Sequence, residues 1–369
     1  MKHISVSGME RDLGYRKIQV TGRGSYIISL PKDWVVDSHL RKGSQLACKI
    51  QEDSSLLLVP RNVLEQSTEA KSPLTEFAVH VTPKDDPPSI ERRLKSLYVV
   101  SANVIRVRFQ AGSLTSPQRA AITNTVRMLL GSEIIAETPT EITIQVLINH
   151  PEFPVENAIR RMLAIVTIMD RNAVAALMTF DEAQLHDVIE SDNDLDRLNL
   201  YVVRQLKYGI ERNLYKEIGF GSPKEFLGYR IVTKNLENAG DNAVGTAKNI
   251  LALKELIDQE ILYLRDPLDD EVYKTVLDFT AFCRRQLEDA LKALFKRDYP
   301  AADEIIARFM STGLDLERAA VNLMLSKTMD PNLTSVLRLI LDNARKMMEY
   351  SRDIAEVTLN RTVEAISTP

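Results

Sequence analysis

The stretches LENAGDNAV (236–244) and MEYSRDIAEV (348–357) each carry a glutamate and an aspartate four residues apart, within a long run of helical periodicity. Residues at this spacing share one face of an α-helix, so Glu237 lies beside Asp241 and Glu349 lies beside Asp353. Like charges at this spacing repel each other, and a bound metal ion would reverse that cost. A solvated acidic face is the alternative, but the recurrence of the pair favours a repeated architecture.

From about residue 152 onward apolar residues recur at intervals of three and four, and strand-like alternation disappears. This pattern predicts six helices, which span residues 153–180, 182–217, 223–262, 269–296, 300–328 and 332–361. NAVAAL (172–177) resembles DALKAL (289–294), and the two acidic pairs take matching places in the third and sixth helices. The C-terminal part is therefore predicted to be two tandem three-helix bundles, residues 151–265 and 266–369.

The second helix of the first bundle offers further carboxylates in VIESDNDLDRL (188–198). Antiparallel packing of the second and third helices is predicted to bring Glu190 and Asp194 against Glu237 and Asp241. A ligand set made only of carboxylates suits hard or borderline cations. We therefore expect a divalent or trivalent metal ion at this site, with Mg, Mn, Fe and Zn as the candidates.

The second bundle matches this pattern less well. LDLER (314–318) resembles NDLDR (193–197), which aligns Asp315 with Asp194 and puts Ser311 in place of Glu190. Counting from the first helix of each bundle instead places Ser311 opposite Asp194. Either alignment lacks one carboxylate, so a second metal site with Glu349 and Asp353 is expected to be poorer than the first.

The N-terminal region is β-rich and basic. Short strands are predicted at KIQV (17–20), YIISL (26–30), QLACKI (45–50) and LLLVP (56–60), with a short helix that begins at Pro31. Residues 1–61 hold ten Lys and Arg against six Asp and Glu, a net charge of +4, which leaves −8 for the rest of the chain. A basic head on an acidic body indicates an anionic partner for the head.

The basic side chains expected to bind DNA cluster on and around the first hairpin: Arg16, Lys17, Arg23 and Lys32. Arginine and lysine on a hairpin can contact phosphates, and arginine can also bind guanine edges in the major groove. A solvated strand face is the alternative. So few residues bury little apolar surface, and we expect residues 1–61 to form a homodimer.

Two further segments complete the domain organisation. Residues 62–75 are polar and lack periodicity, which predicts a linker. Residues 76–150 alternate strand and helix signals in the order βαβαββ, which predicts a small α/β subdomain. The fold class is therefore multidomain α+β.

Several classes of protein are disfavoured. No apolar run approaches the roughly 18 residues of a membrane span, and the N-terminus lacks a signal-peptide core, so a cytoplasmic protein is expected. Cys48 and Cys283 lie in unlike segments, which argues against a structural disulfide. No GxSxG, Walker loop, HExxH or helical Glu-x-x-His motif occurs, so the chain is predicted not to be an enzyme.

Two family resemblances rest on these residues. RKIQVTGRGSYIISLPKDWVVDSHLRKGSQLACKI and SSLLLVPR, within residues 16–61, resemble the SpoVT/AbrB swapped-hairpin domain in the basic first strand, the Gly-Arg turn and the Leu-Pro strand end. DVIESDNDLDRLNLYVVRQL (187–206), YRIVTKNLENAGDNAV (229–244) and MEYSRDIAEVTLNR (348–361) resemble the PhoU family of phosphate-uptake regulators. The combined order is similar to archaeal PhoU-type regulators.

The resemblances imply a function. A SpoVT/AbrB-like head implies an interlaced dimer that binds DNA, and a PhoU-like body implies metal-binding ExxxD motifs and control of phosphate uptake. The leading hypothesis is a DNA-binding regulator of phosphate homeostasis whose body is a sensor or docking module. The alternative is an adaptor that binds a phosphate transporter ATPase or a signalling kinase and uses its head only to dimerise.

Overall fold

In the computed structural model the chain divides into two compact units, Met1–Leu74 and Thr75–Pro369. The structure describes residues 14–22, 24–50, 54–61, 75–109, 114–148, 153–212, 214–260 and 269–367.

In the part of it that the structure describes, the first unit has two small β-hairpins and one short helix, as the sequence predicts. Strands β1 (Gln19–Thr21) and β2 (Ser25–Ile27) pair antiparallel, and helix α1 (Lys32–Asp37) follows. Strands β3 (Leu46–Ile50) and β4 (Leu56–Pro60) form the second antiparallel hairpin. The two hairpins are separate two-stranded sheets, so neither extends the other.

Apolar side chains of the first unit remain exposed. Ile18 is 69% exposed, Tyr26 is 74% exposed and Ile50 is 82% exposed. Among the residues of this unit that the structure describes, only Pro60 is buried. Two hairpins and a six-residue helix cannot enclose a core by themselves.

The second unit begins with a four-stranded sheet covered by two helices. Its elements are β5 (Glu76–Val81), α2 (Pro87–Val99), β6 (Val104–Phe109), α3 (Ser116–Met128), β7 (Ser132–Glu137) and β8 (Glu141–Val146). The order βαβαββ is the one that the sequence predicts. The strands lie in the order β5-β6-β8-β7, with β5 parallel to β6 and the other pairs antiparallel.

The two faces of this sheet differ, as alternating strands require. Ile105 and Ile144 on one face are fully buried together with Leu94 of α2 and Ile122 of α3. The other face is polar and held by ion pairs. Arg106 pairs with Glu76 and with Glu141, and Arg108 pairs with the same Glu141 at 2.8 Å.

The rest of the second unit is helical. Its elements are α4 (Val155–Thr179), α5 (Glu182–Glu211), α6 (Glu225–Asp258), α7 (Asp270–Lys296), α8 (Tyr299–Arg308), α9 (Leu314–Ser326) and α10 (Pro331–Ser367). The predicted continuous helix 300–328 is interrupted by a π-helical turn, Phe309–Gly313, which separates α8 from α9. Gly313 packs there against Met348, whose sulfur lies 2.8 Å from the position a Cβ atom would take.

Helices α4, α5 and α6 pack on one another, as do α7, α8 and α10, with α9 packed on α7. The two sets share one apolar core, because α10 also packs on α6 and α4 also packs on α7. A buried ion pair crosses the second contact, where Arg284 donates to Asp170 at 2.6 Å. Burial raises the pKa of Asp170 although the arginine favours its charged form.

Helix α4 is long and apolar enough to cross a membrane by length and composition alone, with a mean hydropathy of 1.4 in its most apolar window. Asp170 and Arg171 interrupt the apolar residues of the helix, so it holds no uninterrupted apolar run of that length. Half of that window, 50%, is buried inside the protein. It packs against α5 and α6, so it is a core helix of the bundle.

A buried arginine connects the α/β subdomain with the helices. Arg204 of α5 is 1% exposed, and its guanidinium donates to the carbonyl oxygens of Tyr98 at 2.7 Å and Ala102 at 2.8 Å. The same guanidinium lies over the Tyr98 ring. Burial lowers the pKa of Arg204, and its carbonyl and ring partners offset part of the cost of desolvation. These contacts attach α2 to α5, the helix that carries half of the candidate site.

Candidate functional site

The candidate site lies where α5 crosses α6. A Cβ atom at Gly240 of α6 would collide with Leu195 of α5 and would lie 3.5 Å from Oδ1 of Asp192. The glycine therefore leaves room for the Leu195 side chain, which would have to shift if a Cβ atom were present. This packing places the acidic residues of α5 beside the acidic pair of α6.

Four carboxylates lie near this crossing and influence one another electrostatically, and we refer to Asp192, Asp196, Glu237 and Asp241 as the first acidic cluster. The pKa of Asp192 is raised to about 6, chiefly by burial and then by the negative charges of Asp196, Asp241 and Glu237. The pKa of Asp196 is also raised, again first by burial and then by Glu237 and Asp241. Both α5 aspartates therefore carry an electrostatic cost in the folded state.

Lysines offset part of this charge. Lys234 pairs with Glu237 one turn earlier on α6. Lys248 lowers the pKa of Asp192, whereas Lys234 and Lys95 of α2 lower that of Asp196. One oxygen of the cluster still lacks a partner, because Oδ1 of Asp192 is buried and accepts no hydrogen bond.

The predicted α5 ligands occupy a different face. Glu190 and Asp194 are exposed, and Asp194 pairs with Arg197 at 3.4 Å. Asp192 and Asp196, rather than these two residues, take the position opposite Glu237 and Asp241. A shift of two residues turns a helix by about 200°, which exchanges the buried and the solvent face.

The sequence holds a signal for the pair that faces α6. Acidic residues recur at every second position from 190 to 196, so two pairs have the same four-residue spacing. Asp192 lies four residues after Val188 and three before Leu195, and both apolar residues are buried. The spacing to these core residues places Asp192 on the inner face.

The first acidic cluster is not a closed ligand set. Within the residues that the structure describes, no group of three or more His, Cys, Asp or Glu side chains converges closely enough to hold a metal ion. The chemistry of the cluster nevertheless suits a hard cation, because every donor is a carboxylate and one oxygen is unpaired.

The second bundle presents three carboxylates in the corresponding place: Glu317, Glu349 and Asp353. Arg345 lies 3.7 Å from Glu317 and 3.4 Å from Glu349, and Arg352 lies 3.3 Å from Asp353. Every carboxylate of this second acidic cluster therefore has a guanidinium partner.

The repeat accounts for this difference. The alignment of LDLER with NDLDR puts Glu317 at the position of Asp196 and Gly313 at that of Asp192, so one acidic residue is lost. The alignment of the two ExxxD pairs puts Arg345 and Arg352 where the first bundle has Thr233 and Gly240. The second bundle has thus lost a carboxylate and gained two arginines.

The two clusters are linked across the contact between α6 and α10. Asn242 donates to the hydroxyl of Tyr350 at 3.4 Å, and Asn343 donates to the Asn242 carbonyl at 3.2 Å. The pKa of Tyr350 is raised by burial first, and then by the charges of Glu349 and Asp241. One carboxylate from each cluster therefore raises the pKa of Tyr350.

The predicted DNA-binding residues lie in the first unit. Arg16, Lys17 and Lys32 are exposed, with Lys32 in the first turn of α1. Arg16 donates to the carbonyl of Tyr15 at 3.2 Å. Arg23 lies outside the described residues.

The family model for the PhoU domain matches residues 159–250. Those residues form a PhoU domain. The match covers most of α4, all of α5 and most of α6, and it includes the whole first acidic cluster. The PhoU domain is a regulatory and generally non-enzymatic domain, and it indicates regulation of phosphate uptake.

Among solved structures, the chain is similar to the crystal structure of PhoU from Pseudomonas aeruginosa. The sequences are 19% identical, the TM-score is 0.46, and the match covers 57% of this chain and 96% of that chain. No curated protein matches the chain. The N-terminal β-rich region is assigned to no family, so its SpoVT/AbrB character stays a prediction.

The raised pKa of Asp192 predicts how stability depends on pH. The pKa of Asp192 is higher in the folded than in the unfolded state, so this residue contributes stability below about pH 4. That contribution to the free energy of unfolding is lost as the pH rises to about 6. Asp192→Asn should therefore increase the free energy of unfolding at pH 7, by about 1 kcal/mol after discounting for solvent screening.

The measurement is urea unfolding of wild type and variant at pH 4 and pH 7. Asp194→Asn is the matched control, because Asp194 is exposed, and it should show no such pH-dependent gain. A larger gain for Asp194→Asn than for Asp192→Asn would show that the other face of α5 carries the cluster.

Proposed function

We propose that the protein is a cytoplasmic, homodimeric regulator of phosphate uptake, with a cation-dependent PhoU body and a DNA-binding head. The proposal for a cation-dependent regulator of phosphate uptake rests on the PhoU domain at residues 159–250 and its incompletely neutralised acidic cluster. The proposal for the head rests on its exposed basic residues and its resemblance to the SpoVT/AbrB domain.

A metal ion of the Mg, Mn, Fe or Zn class would bind the first bundle. Glu237 and Asp241 would supply ligands from α6, and Asp192 and Asp196 would supply them from α5. A bound cation would lower the electrostatic cost that raises the pKa of both α5 aspartates. Binding would therefore strengthen the contact between α5 and α6.

The second acidic cluster would need no metal ion to neutralise its carboxylates. Arg345 and Arg352 already supply the positive charge that the three carboxylates of the second acidic cluster require. Removing one acidic residue of this cluster leaves an arginine with fewer partners, which costs stability whether or not a metal is present.

Metal binding can be tested by thermal melting of the full chain with EDTA and with excess Mg, Mn, Fe or Zn. Asp241→Asn should raise the melting temperature slightly in EDTA, because it removes repulsion, and should reduce the stabilisation that the metal provides. Glu349→Gln is the matched variant in the second bundle and should lower the melting temperature in both conditions. Wild-type melting that is the same with and without every ion would contradict the metal proposal.

The head is proposed to dimerise through its apolar side chains. Ile50 and Tyr26 are exposed on different hairpins, and a second copy is the simplest way to cover them. In the full chain, Ile50→Asp should therefore convert the dimer to a monomer, because a carboxylate cannot be buried there without a partner.

Light scattering measures the particle mass. Leu227→Asp is the control, since Leu227 is 76% exposed on α6 and lies outside the head. A dimer that survives Ile50→Asp and dissociates with Leu227→Asp would place the interface in the helical unit.

DNA binding is the test of the regulatory proposal. Replacing Arg16, Lys17, Arg23 and Lys32 by alanine should weaken binding to the protein's own promoter and reduce the salt dependence, because phosphate contacts release counterions. Fluorescence anisotropy at several salt concentrations measures both effects. Binding that is unchanged in the quadruple variant would reject these residues as the DNA contacts.

The alternative is an adaptor that binds a phosphate transporter ATPase or a signalling kinase. The observation that favours it is an exposed apolar pair one turn apart on α6, Leu227 and Ile231. A wild-type dimer that binds no promoter DNA at low salt would favour this alternative.

A further inference from the structure

Within the described residues, the sheet of the α/β subdomain has one regular edge that no other strand covers. Strands β5 and β7 are the outer strands of its sheet. The β7 edge is irregular, because the pairing with β8 shifts between Ile134 and Ala136. Bulges of this kind prevent an edge from pairing with another strand. The β5 edge pairs with β6 in continuous register from Glu76 to Val81, and no such irregularity protects it.

The backbone of β5 determines which groups this edge offers. The carbonyl of Thr75 accepts from the amides of Asn103 and Val104, on the β6 side. Backbone groups of alternate residues point to opposite sides of a strand. The amides and carbonyls of Ala78 and His80 therefore point away from β6. The carbonyl of His80 accepts from Arg93 at 3.1 Å, which agrees with this direction. Among the residues that the structure describes, none pairs with the amide or the carbonyl of Ala78.

A groove runs between this edge and helix α2. It encloses about 620 Å³, and Val79 and Leu97 supply an apolar surface inside it. His80, Arg92 and Arg93 supply its basic groups. Of the two arginines, Arg92 is less neutralised, since its side chain is 71% exposed and lies 3.9 Å from Asp86. Arg93 is already paired with Asp85.

We propose that this edge groove binds an extended acidic peptide segment of a partner protein, which adds a strand to β5. The peptide backbone would pair with the amide and carbonyl of Ala78. One carboxylate would pair with Arg92, and an apolar side chain of the peptide would contact Val79 and Leu97. A groove between an edge strand and a helix is a recurrent geometry for strand addition.

The charges of the groove favour an acidic partner over a second copy of this chain. Antiparallel pairing of two β5 strands about Ala78 would bring the Arg92 and Arg93 side chains of both copies together. Like charges placed together across an interface oppose association. The proposal is independent of DNA and metal binding, so its failure would leave the proposed function untouched.

The test is fluorescence anisotropy of the full-length protein with a labelled peptide of roughly eight residues that alternates glutamate and valine. A lysine–valine peptide and a glutamate–proline peptide of the same length are the matched probes, because one reverses the charge and the other cannot form a strand. We expect saturable binding of the glutamate–valine peptide alone, weakened by salt.

Two variants separate the backbone from the charge. Ala78→Pro removes an amide that faces away from β6, so the β5–β6 pairing is kept, and Arg92→Glu reverses the charge of the groove. Each variant should weaken binding of the glutamate–valine peptide by about tenfold or more. Lys84→Glu makes the same charge change in the turn before α2, outside the groove, and should leave binding unchanged. Circular dichroism confirms that the variants are folded.

Several outcomes would overturn the proposal. These are the absence of glutamate–valine binding, equal binding of the lysine–valine or glutamate–proline peptide, and full binding by either groove variant. Competition by inorganic phosphate or citrate, together with full binding by Ala78→Pro, would identify a pocket for small anions instead of a strand-addition site.

Discussion

The close approach of α5 and α6 at Gly240 is the constraint on which the candidate site depends. Without a side chain at this position, Leu195 and Asp192 of α5 come against the backbone of α6. The approach buries apolar residues, and it also forces Asp192 and Asp196 next to Glu237 and Asp241. Part of the stability gained from the apolar core therefore offsets the repulsion and desolvation of the carboxylates, which is the condition under which a cation could control the packing.

The two bundles differ in how the carboxylates of their acidic clusters are neutralised. In the first, lysines neutralise part of the acidic cluster and one aspartate oxygen remains unpaired. In the second, Arg345 and Arg352 hold every carboxylate of the cluster, and Gly313 replaces one acidic residue. The bundles share a core and contact each other through Asn242 and Tyr350, so both clusters lie near one interface between helices.

The remaining surfaces divide between the two units. The first unit exposes apolar side chains that a folded protein normally covers, together with basic residues. The second unit attaches its α/β subdomain to the helices through the buried guanidinium of Arg204. The β5 edge and the basic groove beside α2 belong to this same subdomain, and we propose that a partner strand binds there.

The sequence by itself determined the elements and their order. Local periodicity and prolines placed most helix ends within about six residues of the observed ones, and alternation defined the βαβαββ order, because both patterns are properties of contiguous residues. The acidic pair on α6 was also visible, since Glu237 and Asp241 belong to one helix.

Only the tertiary structure decided which acidic residues of α5 oppose that pair. Glu190 and Asp194 have the same spacing as Asp192 and Asp196, and packing of Val188 and Leu195 into the core selects the second pair. The arginines of the second bundle and the π-helical turn before α9 likewise depend on contacts between distant helices, which no local pattern records.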